Sequence, residues 1–148
     1  MDVALRDTPL DPWREIQAFE ARQPALAGKF GATAVFVGTM RDFNAGDEVR
    51  AMYLDHYPGM TEKHLAAIRE EAMRRWPLQA ALVVHRVGEL APGEPIVLVA
   101  VWSAHRAAAF DACRYIMEDL KSRAPLWKKE TLAGGERWVQ GNTPGYDN

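Results

Sequence analysis

Four positive charges, Lys121, Arg123, Lys128 and Lys129, fall within nine residues of the segment LKSRAPLWKKE (120–130). They bracket Ala124-Pro125-Leu126-Trp127, in a chain whose formal net charge is −2. Two readings fit. Cations in the last turn of a helix lie favourably against the negative end of its macrodipole and are otherwise solvated. Alternatively, the cluster lines a pocket for an anion, with Trp127 partly desolvating a lysine. A desolvated lysine titrates nearer neutrality and can act as general acid, general base or covalent partner.

A second cationic pair stands in SAHR (103–106), where an apolar run gives way to a helical pattern. Free N–H groups at a helix start attract anions, and His105 and Arg106 add a titratable donor and a forked donor there. An exposed pair at a helix start fits equally. Arg41 opens a polar loop after a buried strand, a frequent place for site residues, although Asp42 or Asp47 could simply pair with it. His85 alternates with apolar neighbours and reads as a sheet histidine. Cys113 reads as a packed thiol, HYPGM (56–60) as a structural corner, and Trp13, Trp76 and Trp102 as core anchors.

Other chemistries lack their residues. No carboxylate pair, G-x-S-x-G elbow, H-x-x-x-H pattern or glycine-rich phosphate loop occurs, and the one cysteine excludes an intrachain disulfide and any multi-cysteine zinc site. What remains is a basic site without metal, suited to an anionic, phosphorylated ligand.

The elements that must position these groups follow from pattern. Asp11-Pro12 caps a helix over 12–22, and GATAVFVGTM (31–40) reads as a buried strand. A polar loop with a turn at 44–47 leads to a strand over 49–56. Pro58-Gly59 precedes a helix over 60–76, with Leu65, Ile68, Ala72 and Trp76 inward and Glu70–Arg74 and Glu71–Arg75 as outer pairs. Strands over 80–87 and 95–102 flank a turn at 91–94, and a helix over 104–123 turns Phe110, Cys113, Met117 and Leu120 inward. Pro125 ends it, and 126–131 pairs with 136–140 across Gly134-Gly135; the tail 141–148 reads as loose. The order points to an α+β protein with largely antiparallel sheet.

A length of 148 residues predicts a single domain over 1–148, and 48% hydrophobic with 26% charged residues is ordinary for a globular protein. A pI near 6.1 argues against a general nucleic-acid binder. The N-terminus lacks a signal-peptide pattern and no apolar run reaches membrane-spanning length, so no membrane is expected and cytoplasm is the expected location.

The strings FVGTMRDFN, HYPGMTEKHL, VVHRVGEL, PGE, SAHR, YIM, LKSRAPLWKKE and GERWV, in this order over about 32–139, resemble the catalytic (large) subunit family of molybdopterin synthase. The resemblance implies an α/β-hammerhead core with an added antiparallel β subdomain, and a homodimer within a heterotetramer. Its implied partner is a small ubiquitin-like sulfur-carrier subunit whose Gly-Gly C-terminus carries a thiocarboxylate. The implied reaction moves two sulfurs to cyclic pyranopterin monophosphate (precursor Z), yielding the dithiolene of molybdopterin without a metal or other cofactor. By the same resemblance Lys121 and Lys128 do acid/base work, with Lys121 closest to the thiocarboxylate. Arg41, His105 and Arg106 hold the phosphate and pterin, and Thr39, Met40, Lys129 and Glu130 match further substrate-contact positions.

One departure stands out. Relatives often continue R-W-V-E-A-R where this chain reads Arg137-Trp138-Val139-Gln140-Gly141-Asn142. Arg137 or Lys129 are the candidates to replace the missing arginine. The alternative to an enzyme is a non-catalytic phosphate-ligand or RNA-binding module, with Trp127 and Phe43 stacking bases, or a scaffold that only receives a carboxylate tail. Counting adds a constraint. Arg106 and Lys121 lie fifteen positions apart on one expected helix, about 22 Å along its axis. Either the two clusters serve different ligands, or one site takes its His-Arg pair and its lysines from different subunits of a two-fold dimer. The implied homodimer favours the shared site.

Overall fold

The computed structural model describes residues 2–139; Gln140 and the tail 141–148 lie outside the described residues, so the expectation of a loose tail is not addressed. The chain runs β1 (Val3–Arg6), α1 (Pro12–Ala21), a short 3-10 turn (Pro24–Leu26), β2 (Ala32–Thr39), β3 (Phe43–Asn44) and β4 (Asp47–His56). It continues through α2 (Met60–Arg75), β5 (Leu78–Arg86), β6 (Gly88–Leu90), β7 (Pro95–Ser103), α3 (Arg106–Arg123), β8 (Leu126–Leu132) and β9 (Gly135–Trp138).

Two sheets result. The first has the order β1-β5-β7-β2, in which β1 runs parallel to β5 and the other pairs are antiparallel. Helices cover both faces, so β5 and β7 are near-continuous apolar runs. On one face Leu65, Ile68 and Ala72 of α2 and Ala112, Ile116 and Leu120 of α3 pack on Val83, Val99 and Val101. On the other, Phe19 of α1 stacks on Trp102 at 4.9 Å between centroids, and the Trp102 indole donates to Glu20 at 2.8 Å. The second sheet, β3-β4-β8-β9 with β6 on β4, is antiparallel and packs Met52, Leu54 and Leu90 into a smaller core. The molecule is α+β, a helix-covered sheet joined to an antiparallel subdomain.

Local chemistry sets the element ends that matter for the site. The Asp11 carboxylate accepts from the Arg14 N–H at 3.2 Å, and Pro12 opens α1. Gly59, at φ 83°, turns β4 into α2, and its N–H donates to the Glu62 carboxylate at 2.9 Å. The Thr61 hydroxyl donates to the Pro125 carbonyl at 2.9 Å, tying the start of α2 to the break between α3 and β8. HYPGM is thus a structural corner that also anchors the entry to β8.

Several expectations are corrected. Phe110 is 67% exposed, because the inward face of α3 is Ala109, Ala112, Cys113, Ile116, Met117 and Leu120, and Phe110 lies one 100° step off it. Trp13 is 60% exposed on the outer side of α1, where Phe19 is the anchor. Trp76, by contrast, packs against the core of the first sheet as expected, half-buried and with its ring centroid 5.3 Å from that of Tyr115. Arg74 meets Glu71 at i,i+3, and Glu70 turns to Arg69, in place of the expected i,i+4 pairs. The loop 41–48 is a hairpin: Phe43 and Asn44 pair with Glu48 and Asp47 across Ala45 and Gly46, both at positive φ. The short strands β1 and β6 carry no pattern long enough to read and form because β5 and β4 offer them edges.

Candidate active site

The cluster in LKSRAPLWKKE divides once folded. Arg123 closes on Asp119 of its own helix, the bland helix-end role. Beyond Pro125 the strand period takes over. Leu126, Lys128 and Glu130 turn to one side of β8, whereas Trp127 and Lys129 turn to the other. Trp127 is 47% exposed and faces away from the lysine pair, so it does not desolvate it, contrary to expectation. Lys129 lies 3.8 Å from Glu136 and over the Trp138 ring.

Lys121, in the last turn of α3, and Lys128, opposite Leu54 in the register of β4 and β8, meet at one cavity. The cavity is narrow, about 100 Å³, with His85, Leu120 and Leu126 also in its wall. It adjoins a wider cleft of about 540 Å³ lined by Met40, Arg41, Phe43 and Glu130. Gly38, Thr39, Ile96, Lys121 and Lys128 border both. A Cβ on Gly38 would come within 2.8 Å of the Val97 side chain, so glycine lets β2 lie this close to β7 beside the cavity.

Electrostatics make the amines unusual. Lys128 is pushed down to about 8, by burial above all and then by the Lys121 charge, with Glu130 opposing and Arg41 adding. Lys121 is lowered by burial first and then by Arg41, with Glu118 opposing. Both amines are thus less favoured in their charged form than a surface lysine, and Lys128, at about 8, is suited to exchanging protons near neutral pH.

The structure therefore brings together Thr39, Met40, Arg41, Lys121, Lys128 and Glu130. Within one chain it does not bring His105, Arg106 or Lys129 to them. His105 and Arg106 are exposed at the far end of α3. Arg41 stacks its guanidinium over Phe43 at 4.9 Å, whereas Asp47 bonds Arg137. Met40 is buried and fixed through its backbone to Glu94 and Gly93. Glu130, 5% exposed, accepts from Asn44 Nδ2 and Arg137 Nε, each at 3.0 Å, and so clasps the β3–β4 hairpin to β8 and β9. Arg137 is thereby bonded to Glu130, Asp47 and the Asn44 carbonyl, and Lys129 lies on the outer face beside Glu136; Asn142, where relatives often carry an arginine, lies outside the described residues.

His85 is the cavity residue that sequence reasoning undervalued. It is buried, as expected of a sheet histidine, but its strand places it in the same wall as the lysines. Only the tertiary arrangement, which brings residues of α3, β8 and β5 around one cavity, reveals this. Among the described residues, no group of three His, Cys, Asp or Glu side chains could hold a metal ion.

The family model described as MoaE protein matches residues 5–123. The molybdopterin synthase catalytic subunit of Pseudomonas aeruginosa is 52% identical over 141 residues, covering 95% of this chain and 91% of that one. The chain belongs to the MoaE family of molybdopterin synthase catalytic subunits. It is thus an enzyme subunit of molybdenum cofactor biosynthesis. The family model takes in Arg41, His105, Arg106 and Lys121, and the longer alignment with the P. aeruginosa subunit extends past Lys128 and Glu130. The solved molybdopterin synthase of Staphylococcus aureus superposes with a TM-score of 0.80 at 32% identity, over 95% of this chain and 96% of that one. A complex of subunits 1 and 2 of molybdopterin-converting factor from Helicobacter pylori shares the fold, with a TM-score of 0.77 at 21% identity over 95% and 91% of the two chains.

Proposed function

We propose that this subunit transfers sulfur from the thiocarboxylated C-terminus of a small ubiquitin-like carrier subunit to cyclic pyranopterin monophosphate, building the dithiolene of molybdopterin. The observation that carries the reading is the meeting of Lys121 and Lys128, from different elements and both with lowered pKa, at the join of a narrow cavity and a wide cleft. The narrow cavity is too small for a pterin and suits an extended tail ending in glycines. The cleft has room for the pterin, and Arg41 offers its phosphate a fixed positive charge. The H. pylori complex of two subunits supports a small-subunit partner.

In this reading the thiocarboxylate sulfur bonds to a pterin carbon as a C–O bond breaks, and an ammonium gives the departing oxygen its proton. Water then cleaves the acyl–sulfur bond to leave the sulfur on the pterin and a carboxylate on the carrier, a neutral lysine taking the proton that this water releases. Burial and the Lys121 charge keep both protonation states of Lys128 accessible, and burial and Arg41 move Lys121 in the same direction. Lys121 stands nearest the thiocarboxylate and Lys128 beside it. Because Arg106 and Lys121 occupy opposite ends of α3, the phosphate-holding His105 and Arg106 come from the second copy of a homodimer. No helix among the described residues is long and apolar enough to cross a membrane, and the cytoplasm is the proposed location. The deciding experiment supplies purified thiocarboxylated carrier and precursor Z and measures dithiolene product. Binding of either without product would leave the phosphate-ligand or scaffold reading standing instead.

A further inference from the structure

His85 lies near the end of β5, opposite Val97 of β7 and beside Leu5 of β1, so its strand neighbours are apolar. Its Nδ1 is 2.7 Å from the Arg86 carbonyl oxygen. A carbonyl only accepts, so Nδ1 carries the hydrogen, and in the neutral ring Nε2 is left as a bare acceptor. The ring borders the 100 Å³ cavity, and the charged groups sharing that wall are both donors, Lys121 from α3 and Lys128 from β8. Arg41, farther out in the cleft, is a third cation. A buried neutral acceptor among cations has an evident use.

We propose that His85 is a positioning residue of the sulfur-transfer site, its Nε2 serving as the hydrogen-bond acceptor that holds the Lys128 ammonium in the narrow cavity. The proposal rests on the reading above and deepens it, since it says how an amine that burial disfavours is kept charged and in place. The imidazole must stay neutral to do this, and burial, then the charges of Lys128 and Lys121, push its pKa down to about 4 against the raising effect of the Arg86 carbonyl. Of the two lysines, Lys128 acts on it the more strongly. The tautomer is set by the backbone, so no further side chain is needed to aim Nε2.

The test follows the Lys128 amine itself, by carbon-13 NMR of protein labelled at the lysine ε-carbon, with assignment by Lys128→Arg. His85→Leu removes the acceptor, and the Lys128 midpoint should fall from about 8 by about one pH unit. At pH 8 that shift takes the ammonium fraction from about a half to about a tenth. His85→Gln, whose amide oxygen reaches toward the place of Nε2, should keep the midpoint near that of the native protein. An unchanged midpoint in folded His85→Leu overturns the proposal. If His85→Leu does not fold, His85→Asn decides, because its amide replaces only the Nδ1 end. A lowered midpoint in Asn with a preserved one in Gln supports the proposal, and the reverse overturns it. The titration needs no substrate, so its failure is separable from failure of the sulfur-transfer assay.

Discussion

Lys121 and Lys128 sit on α3 and β8, separated by a helix end and a proline, yet they line one cavity and the Lys121 charge disfavours that of Lys128. Lys121→Ala should abolish most turnover while leaving the fold intact. It should also raise the Lys128 midpoint from about 8, because a like charge is gone. The rise is partial, since burial is the larger cause. Lys121→Arg should fail as well, because arginine keeps the charge but does not exchange protons near neutrality. A product assay with the same lysine titration checks both; full activity in the arginine variant would rule out acid/base work at Lys121.

Arg106 and Lys121 open and close the same helix. If one site draws on both subunits, mixing Arg106→Ala with Lys121→Ala protein should restore activity that neither has alone. Random exchange makes half the dimers mixed, each with one intact site of two, so recovery should reach roughly a quarter of the native rate. Confirmed subunit exchange with no recovery would exclude the shared site.

The Glu130 carboxylate is buried and held by Asn44 and Arg137, the latter also bonded to Asp47. Arg137→Ala strips one partner from a buried charge, but Arg137 is a third exposed, which screens the loss. A lower urea midpoint than that of the native protein is expected. The hairpin that carries Phe43 should loosen with it, visible as faster amide exchange over 43–48. Unchanged exchange there would show that the clasp does not hold the hairpin.

The depressed pKa of His85 makes stability depend on acid. The group binds its proton at about 6.5 when unfolded and about 4 when folded. Its stabilising contribution is therefore complete above 6.5 and lost as pH falls toward 4, amounting to about 3 kcal/mol. Urea midpoints measured from pH 7 to pH 4 should fall steeply in the native protein and less in His85→Gln. Equal slopes would remove His85 as the cause.

Cys113 packs its thiol 3.9 Å from the Val99 carbonyl, and burial pushes it up to about 11. Little thiolate exists at pH 8, so alkylation by iodoacetamide should be slow in the folded protein and fast in urea. Rapid labelling of the native state would place the thiol at the surface.

Much of the architecture was legible because it is written in local periodicity. The strands over 31–40 and 95–102, the helices α1, α2 and α3, and the hairpin after Pro125 follow from alternation, helical spacing and caps that neighbouring residues supply. Phe110 and Trp13 were misread because a large apolar side chain resembles core in a one-dimensional pattern, whereas its angle on the helix decides what it meets.

The candidate site divides along the same line. Residue chemistry in the sequence pointed to a basic site without obvious metal ligands, because charge and hydrogen-bonding type are properties of a side chain alone, and the family resemblance named Lys121, Lys128 and Arg41 as its candidates. That Arg106 stands at the far end of α3 from Lys121 was already legible from the residue count along one helix. Only the tertiary structure decided that Lys121 and Lys128 share a cavity while Arg123 and Lys129 do not, and that His85 borders that cavity. The reason is physical: desolvation and like-charge repulsion depend on distances across elements, and the packing of α3 on the first sheet together with the pairing of β8 to β4 sets those distances.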